Sequence, residues 1–242
     1  MAELILYIGD SGVGKSTSLR NLPPEDTIIL TPNGKSLPFP GGNNYVRGTN
    51  LFVNNNLKDG SDTPQNELEK LDVQDFIKQV ADNTKKKYLV IEDFTHFFSA
   101  RIFSDSFLAQ NTGNAAFQRW NQFGADVFQA IFEKSQDLRD DLYIIILHHT
   151  DVKDNGTIGF KSPGRLLDNT IDVPSYFVYA LHGIVEDGES GTRYLIQTNK
   201  DTIRQAKTPY GCFKEMKLPN DLKPILDRID DFRSGKVKVE WK

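Results

Sequence analysis

Along most of the chain, short apolar runs alternate with stretches whose apolar residues recur every three or four positions. "ELILYI" (3–8) and "TIILT" (27–31) are continuous runs too short to be helices with one buried face, and they read as strands. Val73, Phe76, Ile77 and Val80 fall at helical spacing, which predicts a helix over 72–84. The lysines 85–87 then lead into a strand, "YLVIED", at 88–93. Phe117, Trp120, Phe123, Val127, Phe128 and Ile131 mark one face of a long amphipathic helix over about 115–138, and core packing explains these aromatics better than a base-stacking platform does. "LYIIILHH" (142–149) is apolar until its histidines, the pattern of a strand covered on both faces of a parallel sheet. "SYFVYALHGIVEDGESGTRYLIQTN" (175–199) differs, with two β-rich runs around a turn that predict an antiparallel hairpin. Leu222, Ile225, Leu226 and Ile229 predict a C-terminal helix opening near Pro224, and "VKVEW" reads as a closing edge strand.

This order predicts an α/β fold, mostly parallel sheet flanked by helices, with an antiparallel hairpin on its C-terminal side. The chain of 242 residues reads as a single domain over 1–242, carrying an insertion at 32–67 and an appendage at 214–242. The insertion is rich in Pro, Gly and Asn, is expected to be mobile and function-bearing, and holds "NYVRG" and "NLFVN" as a candidate small hairpin. Hydrophobic residues at 38% and charged residues at 26% describe an ordinary soluble protein, and a net charge of −4 leaves any nucleic-acid contact to local patches. The single cysteine, Cys212, excludes an internal disulfide and reads as a small half-buried side chain. No membrane span is expected, and the N-terminus lacks the features of a signal peptide, so the expected location is cytoplasmic.

The chemistry concentrates in "GDSGVGKST" (9–17), which follows the first strand, is expected to lead into a helix, and fits G-x-x-x-x-G-K-[ST] through Gly9, Gly14, Lys15 and Ser16. Backbone N–H groups of such a loop surround a β-phosphate, the lysine neutralises β/γ oxygens and the hydroxyl ligates Mg²⁺. The expected nucleotide-binding set is Asp10, Ser11, Gly12, Val13, Gly14, Lys15, Ser16 and Thr17, with ATP and Mg²⁺ as cofactors. Glu92 and Asp93, closing the "YLVIED" strand, are the expected acidic partners of the metal alongside Ser16. His148 and His149, where the apolar strand exits, are candidate γ-phosphate sensors, and a metal site from His148, His149 and Asp151 is disfavoured because neighbouring strand residues diverge. "TNKD" (198–201) misses the guanine-reading N-K-x-D pattern by one residue, which favours ATP over GTP. "KDNGTIGFKSPGR" (153–165) is a basic loop that could follow a phosphate backbone with Phe160 for stacking, and Arg204 or Lys207 could reach a neighbouring subunit's γ-phosphate.

"GDSGVGKST", "TPNGKSLPFPGG", "LVIEDFTHFF", "IILHHT", "SPGRLLD" and "AKTPYGCF", taken together over roughly 3–213, resemble phage-encoded RecA-like P-loop ATP-binding proteins, relatives of phage single-strand annealing ATPases. The resemblance implies a RecA-like core, ATP with Mg²⁺, a homo-oligomeric ring or filament, and work on single-stranded DNA with other phage proteins in recombination or replication, in the host cytoplasm. It carries Walker A roles to Lys15 and Ser16, the Walker B position to Glu92, the strand-end sensor to His148 and the intersubunit cation to Lys207, so the expected catalytic set is Lys15, Glu92, Asp93, His148 and Lys207. One departure is chemical: no glutamate follows the second strand in "TIILTPNGKS", so hydrolysis is slow or Asp93 substitutes. Two other readings stay open, a nucleotide-dependent structural or interaction protein that scarcely hydrolyses ATP, and a small-molecule kinase, for which no arginine-rich lid is evident.

Overall fold

The computed structural model describes residues 1–54, 72–103, 108, 113–129, 137–162, 172–188 and 191–239. One eight-stranded sheet organises them. Its strands, in chain order, are β1 (Glu3–Ile8), β2 (Thr27–Thr31), β3 (Leu51–Val53), β4 (Tyr88–Ile91), β5 (Tyr143–His148), then β8 (Tyr179–Gly188), β9 (Gly191–Gln197) and β10 (Lys217–Pro219). Across the sheet the order is β10-β9-β8-β1-β5-β4-β2-β3. All neighbours from β8 to β3 run parallel, while β9 and β10 add antiparallel to the far edge. Two shorter strands, β6 (Thr150–Val152) and β7 (Ile158–Phe160), form a separate antiparallel ribbon beyond β5.

Side chains along the central strands alternate between two cores, because successive residues of a strand face opposite ways. Leu6, Ile8, Leu30, Ile91, Ile144 and Ile146 face helices α1 (Val73–Asn83), α2 (Phe94–Ile102) and α3 (Gly113–Phe128), whose Phe76, Phe94, Phe98 and Phe123 fill that side. Ile5, Tyr7, Ile29, Val90, Ile145 and Leu147 face the opposite way, against Leu19 and the C-terminal helix α4 (Leu222–Arg233) with its Leu222, Ile225, Leu226 and Ile229. Each such fully buried side chain contributes about 1.5–3 kcal/mol of transfer free energy, so both faces of the sheet are strongly specified. Asp72 caps α1 by accepting from the Asp75 amide, and Asp221 caps α4 by accepting from the Lys223 amide.

Several expectations need correction. The segment after the glycine loop is one 3₁₀ turn, Ser16–Leu19, followed by a second short turn, Pro24–Asp26, and no long first helix forms. "LRNLPPED" explains this: two consecutive prolines cannot continue a helix, and Thr27 must already enter β2. "NYVRG" and "NLFVN" do not form a hairpin; Leu51–Val53 instead pairs parallel with β2 and extends the main sheet from inside the 32–67 segment. "VKVEW" is no edge strand over 237–239, the remainder lying outside the described residues; the added edge is β10, which sequence reading missed because it has three residues and ends in proline. The long aromatic helix begins at Gly113; the side chains of Phe117, Val127 and Phe128, and Ile131 altogether, lie outside the described residues. Cys212 is fully rather than half buried.

Candidate functional site

The C-terminal ends of β1, β5 and β4 lie side by side, and a cleft of about 1080 Å³ opens above them. In parallel sheets this is where ligands are held. The loop after β1 supplies the floor. Gly12 and Gly14 both adopt left-handed backbone, each with φ of 85°, which a side chain would strain. At Gly14 space is closed as well, since a Cβ would meet the Asn220 amide nitrogen at 2.4 Å.

Lys15 is nearly buried, and its ammonium donates to the carbonyls of Gly9 at 2.8 Å and Asp10 at 2.9 Å. Burial pushes its pKa down to about 8, against the opposing pull of Asp93, Asp10 and Glu92. A carboxylate or phosphate oxygen would be a stronger acceptor for this ammonium than either neutral carbonyl. Ser16 and Glu92 both line the cleft; burial chiefly raises the pKa of the Glu92 carboxylate, and the Ser16 hydroxyl works against that rise. Serine hydroxyl and buried carboxylate together make a hard-oxygen pair suited to Mg²⁺.

β4 ends at Ile91, two residues earlier than the sequence predicts, and this changes the geometry of the acidic pair. Asp93 turns into the left-handed region at φ 49°, the single non-glycine residue with positive φ among the described residues. That turn brings Asp93 onto the same cleft as Glu92 where an extended strand would have pointed them apart. Asp93 then faces a different set of partners. Its Oδ1 lies 3.4 Å from His149 Nε2, and its Oδ2 lies 3.8 Å from His96 Nε2 and 3.9 Å from Lys35 Nζ. The hydrogen bond from His149, with the nearby cations, holds the Asp93 carboxyl at a pKa of about 2 in spite of partial burial.

The two adjacent histidines have opposite fates. His148 is fully buried and stacks on Phe160 with ring centroids 3.7 Å apart and planes 5° from parallel. Its Nε2 lies 2.7 Å from the Lys161 carbonyl and its Nδ1 3.1 Å from the Thr95 hydroxyl. A carbonyl only accepts, so Nε2 carries the proton and the Thr95 hydroxyl donates to Nδ1; burial drives the ring's pKa down to about 3 and keeps it neutral. His148 therefore does not line the cleft, and the strand-end position facing the cleft belongs to His149. Phe160, buried under His148, is likewise unavailable for base stacking.

Other expected residues also separate. Ser11, Gly12, Gly14, Lys15, Ser16 and Thr17 line the cleft. Asp10 and Val13 do not: the Asp10 carboxylate accepts from the Thr150 hydroxyl, and Val13 turns into the protein against β8. Lys207 is outside the cleft, its ammonium bonded to the Ser175 carbonyl at 3.1 Å, and Arg204 is paired with Asp201 at 2.9 Å. The Asp201 carboxylate of "TNKD" is taken by the Ile203 and Arg204 amides. Of the basic loop, 163–165 lies outside the described residues, as do the rest of "SPGRLLD" and its neighbours to 171.

Sequence reading missed the far wall. Tyr194 on β9, together with Pro219 and Asn220 at the end of β10, borders the cleft beside the glycine loop. Asn220 ties the two regions together: its amide donates to the Gly14 carbonyl at 2.8 Å while its Oδ1 accepts from the buried Tyr7 hydroxyl at 2.8 Å. Arg20, just after the loop, adds bonds to the Asn220 carbonyl at 2.6 Å and to Asp221 at 3.2 Å.

No family profile matches the chain, and no curated protein matches it. Among solved structures it is similar to a KaiC-like protein from the hyperthermophilic archaeon Pyrococcus horikoshii, at 10% identity and a TM-score of 0.42, over 90% of this chain and 84% of that one. A score below 0.5 is too low to establish a shared fold, so the α/β architecture rests on the strand order and pairing described above. No helix among the described residues is long and apolar enough to cross a membrane.

Proposed function

We propose that the cleft binds a nucleoside triphosphate together with Mg²⁺, that the nucleotide is ATP, and that the protein hydrolyses it slowly in the manner of RecA-like ATPases. The observation that carries this reading is the placement of Ser16 and the buried Glu92 carboxylate on one cleft, beside a lysine sheathed by loop carbonyls and two left-handed glycines. An anion entering the loop replaces the Gly9 and Asp10 carbonyls as acceptor for Lys15 and removes the cost of that buried ammonium. Ser16 and Glu92 are the residues that would hold Mg²⁺, whose role is to neutralise charge on the phosphate oxygens. Tyr194 offers a ring face for a base at the open end of the cleft, and Asp201, consumed by its own turn, supports adenine over guanine.

Slow turnover follows from the acids present. Glu92 and Asp93 are the carboxylates lining the cleft among the described residues. With Glu92 assigned to Mg²⁺, water activation would fall to Asp93, and a carboxylate held near pKa 2 is a weak base. The oligomer on single-stranded DNA implied by the resemblance would add Lys207 from a neighbouring copy. Binding measured with ATP and GTP, with and without Mg²⁺, tests the nucleotide reading, and Ser16→Ala or Glu92→Gln should abolish the Mg²⁺ dependence. Turnover stimulated by single-stranded DNA would support the DNA role. Tight binding with negligible turnover under either condition would favour a nucleotide-dependent interaction protein instead.

A further inference from the structure

Outside the phosphate loop, the densest grouping of metal-ligating side chains among the described residues is Asp93, His96 and His149. One ligand atom from each lies within 4.8 Å of the other two. Three separate backbone features produce the grouping. Asp93 sits in its left-handed turn at the exit of β4; His96 occupies the first turn of α2, its amide bonded to the Asp93 carbonyl at 2.7 Å; His149 follows β5, its amide bonded to Thr95 Oγ1 at 3.0 Å. Strained backbone of this kind gathers at ligand sites, because something must hold it there.

The two imidazoles present their Nε2 atoms to one carboxylate, and the described residues offer those ring nitrogens no other polar partner. This contrasts with His148, whose two nitrogens are both spent within the protein. The His96 and His149 rings are nearly perpendicular, at 80°, with centroids 6.0 Å apart, so both reach the carboxylate without the rings colliding. Both side chains are partly open to solvent, which gives an ion a path.

We propose that Asp93, His96 and His149 form a binding site for a divalent transition cation of the zinc class, separate from the Mg²⁺ of the nucleotide. Tetrahedral zinc with bonds of about 2.0–2.2 Å sets its ligand atoms roughly 3.3–3.5 Å apart. The 3.4 Å from Asp93 Oδ1 to His149 Nε2 already meets that spacing, while His96 Nε2 lies 3.8 Å from the other carboxylate oxygen, Oδ2, so its half-exposed ring must shift to share the ion. Two nitrogens and one oxygen select zinc, cobalt or nickel over magnesium, which takes oxygen ligands and octahedral geometry. Lys35, 3.9 Å from Asp93, opposes a cation, but its side chain is largely exposed and free to swing away.

The test uses the intact chain, stripped with a chelator and free of nucleotide, titrated with Co²⁺ and followed by visible absorption. The expected result is saturation at one Co²⁺ per chain with the intense bands of a four-coordinate site, displacement by equimolar Zn²⁺, and persistence in excess Mg²⁺. His96→Ala and His149→Ala should each weaken Co²⁺ binding at least tenfold, and the thermal melt of the exposed His96→Ala variant should match wild type. Lys15→Ala, which disables nucleotide binding on the reading above, should retain Co²⁺, so the two readings fail separately. Absence of saturable uptake by the wild type, or uptake undiminished when both histidines are replaced, would overturn the site.

Discussion

The two walls of the cleft are built differently. On the parallel side, the loop after β1 and the exits of β4 and β5 gather charge: Lys15, Glu92, Asp93, His96 and His149. Across from them, the antiparallel extension of β9 and β10 contributes Tyr194, Pro219 and Asn220, none of them charged. The charged wall is made of segments at strand ends in the first 150 residues, whereas the neutral wall comes from more than forty residues later and reaches the loop through Asn220. A phosphate tail and its metal need the first kind of wall; an aromatic base needs the second. The division teaches that a motif can announce the chemistry of one end of a ligand while the other end is fixed by strands that carry no motif.

The largest effect should come from the charged wall. Lys15→Ala removes the buried cation and, at about 3 kcal/mol for a charge-assisted contact, should weaken ATP binding roughly 100-fold in a calorimetric titration. Next comes the tie between the walls. Asn220→Ala leaves the buried Tyr7 hydroxyl without its acceptor and frees the Gly14 carbonyl, so it should lower unfolding free energy by about 2 kcal/mol in urea denaturation. A protein equally stable without Asn220 would show that the two walls are not coupled there. The neutral wall alone should matter less: Tyr194→Ala, losing one stacking face at a half-exposed position, should cost about 1 kcal/mol, roughly fivefold in ATP affinity, while leaving affinity for inorganic triphosphate unchanged.

A pH-dependent effect concerns β8, the strand the two regions share. His182 is buried, and its Nδ1 lies 3.0 Å from the Gln205 carbonyl. Burial, with help from Arg204, depresses its pKa against the pull of Asp10 and Asp201. The folded pKa lies below that of the unfolded chain, about 6.5, so the unfolded state takes up the proton first as pH falls. The stability attached to a neutral His182 is complete above that value and drains away below it, by up to about 1.4 kcal/mol per pH unit. Melting curves between pH 7 and pH 5 should fall less steeply for His182→Gln than for wild type.

Legibility followed the same division. Strand alternation and apolar runs predicted β1, β2, β5 and the β8–β9 hairpin, because each buries a face whose pattern is local. The glycine loop, Lys15, Ser16 and Glu92 were equally visible, since their spacing is the chemistry. What failed depended on distant partners. Leu51–Val53 looked like half of a hairpin and became an edge strand because β2 offered it a free ladder. His148 and His149 could not be told apart by position, and it took Phe160 stacking on one ring and Asp93 meeting the other to separate them. The left-handed turn that sets Asp93 beside His96 and His149 was equally invisible in the sequence. Neither Tyr194 nor Asn220 carries any signal in its own neighbourhood; only sheet order places them beside Gly14.

Titration of the purified chain with ATP in a calorimeter, with Mg²⁺ present and then removed by chelation, addresses the phosphate cleft most directly. The predicted result is one saturable site per chain that weakens sharply without Mg²⁺ and roughly 100-fold in Lys15→Ala. Heat indistinguishable from dilution in the wild-type chain, or binding that Lys15→Ala leaves intact, would contradict it.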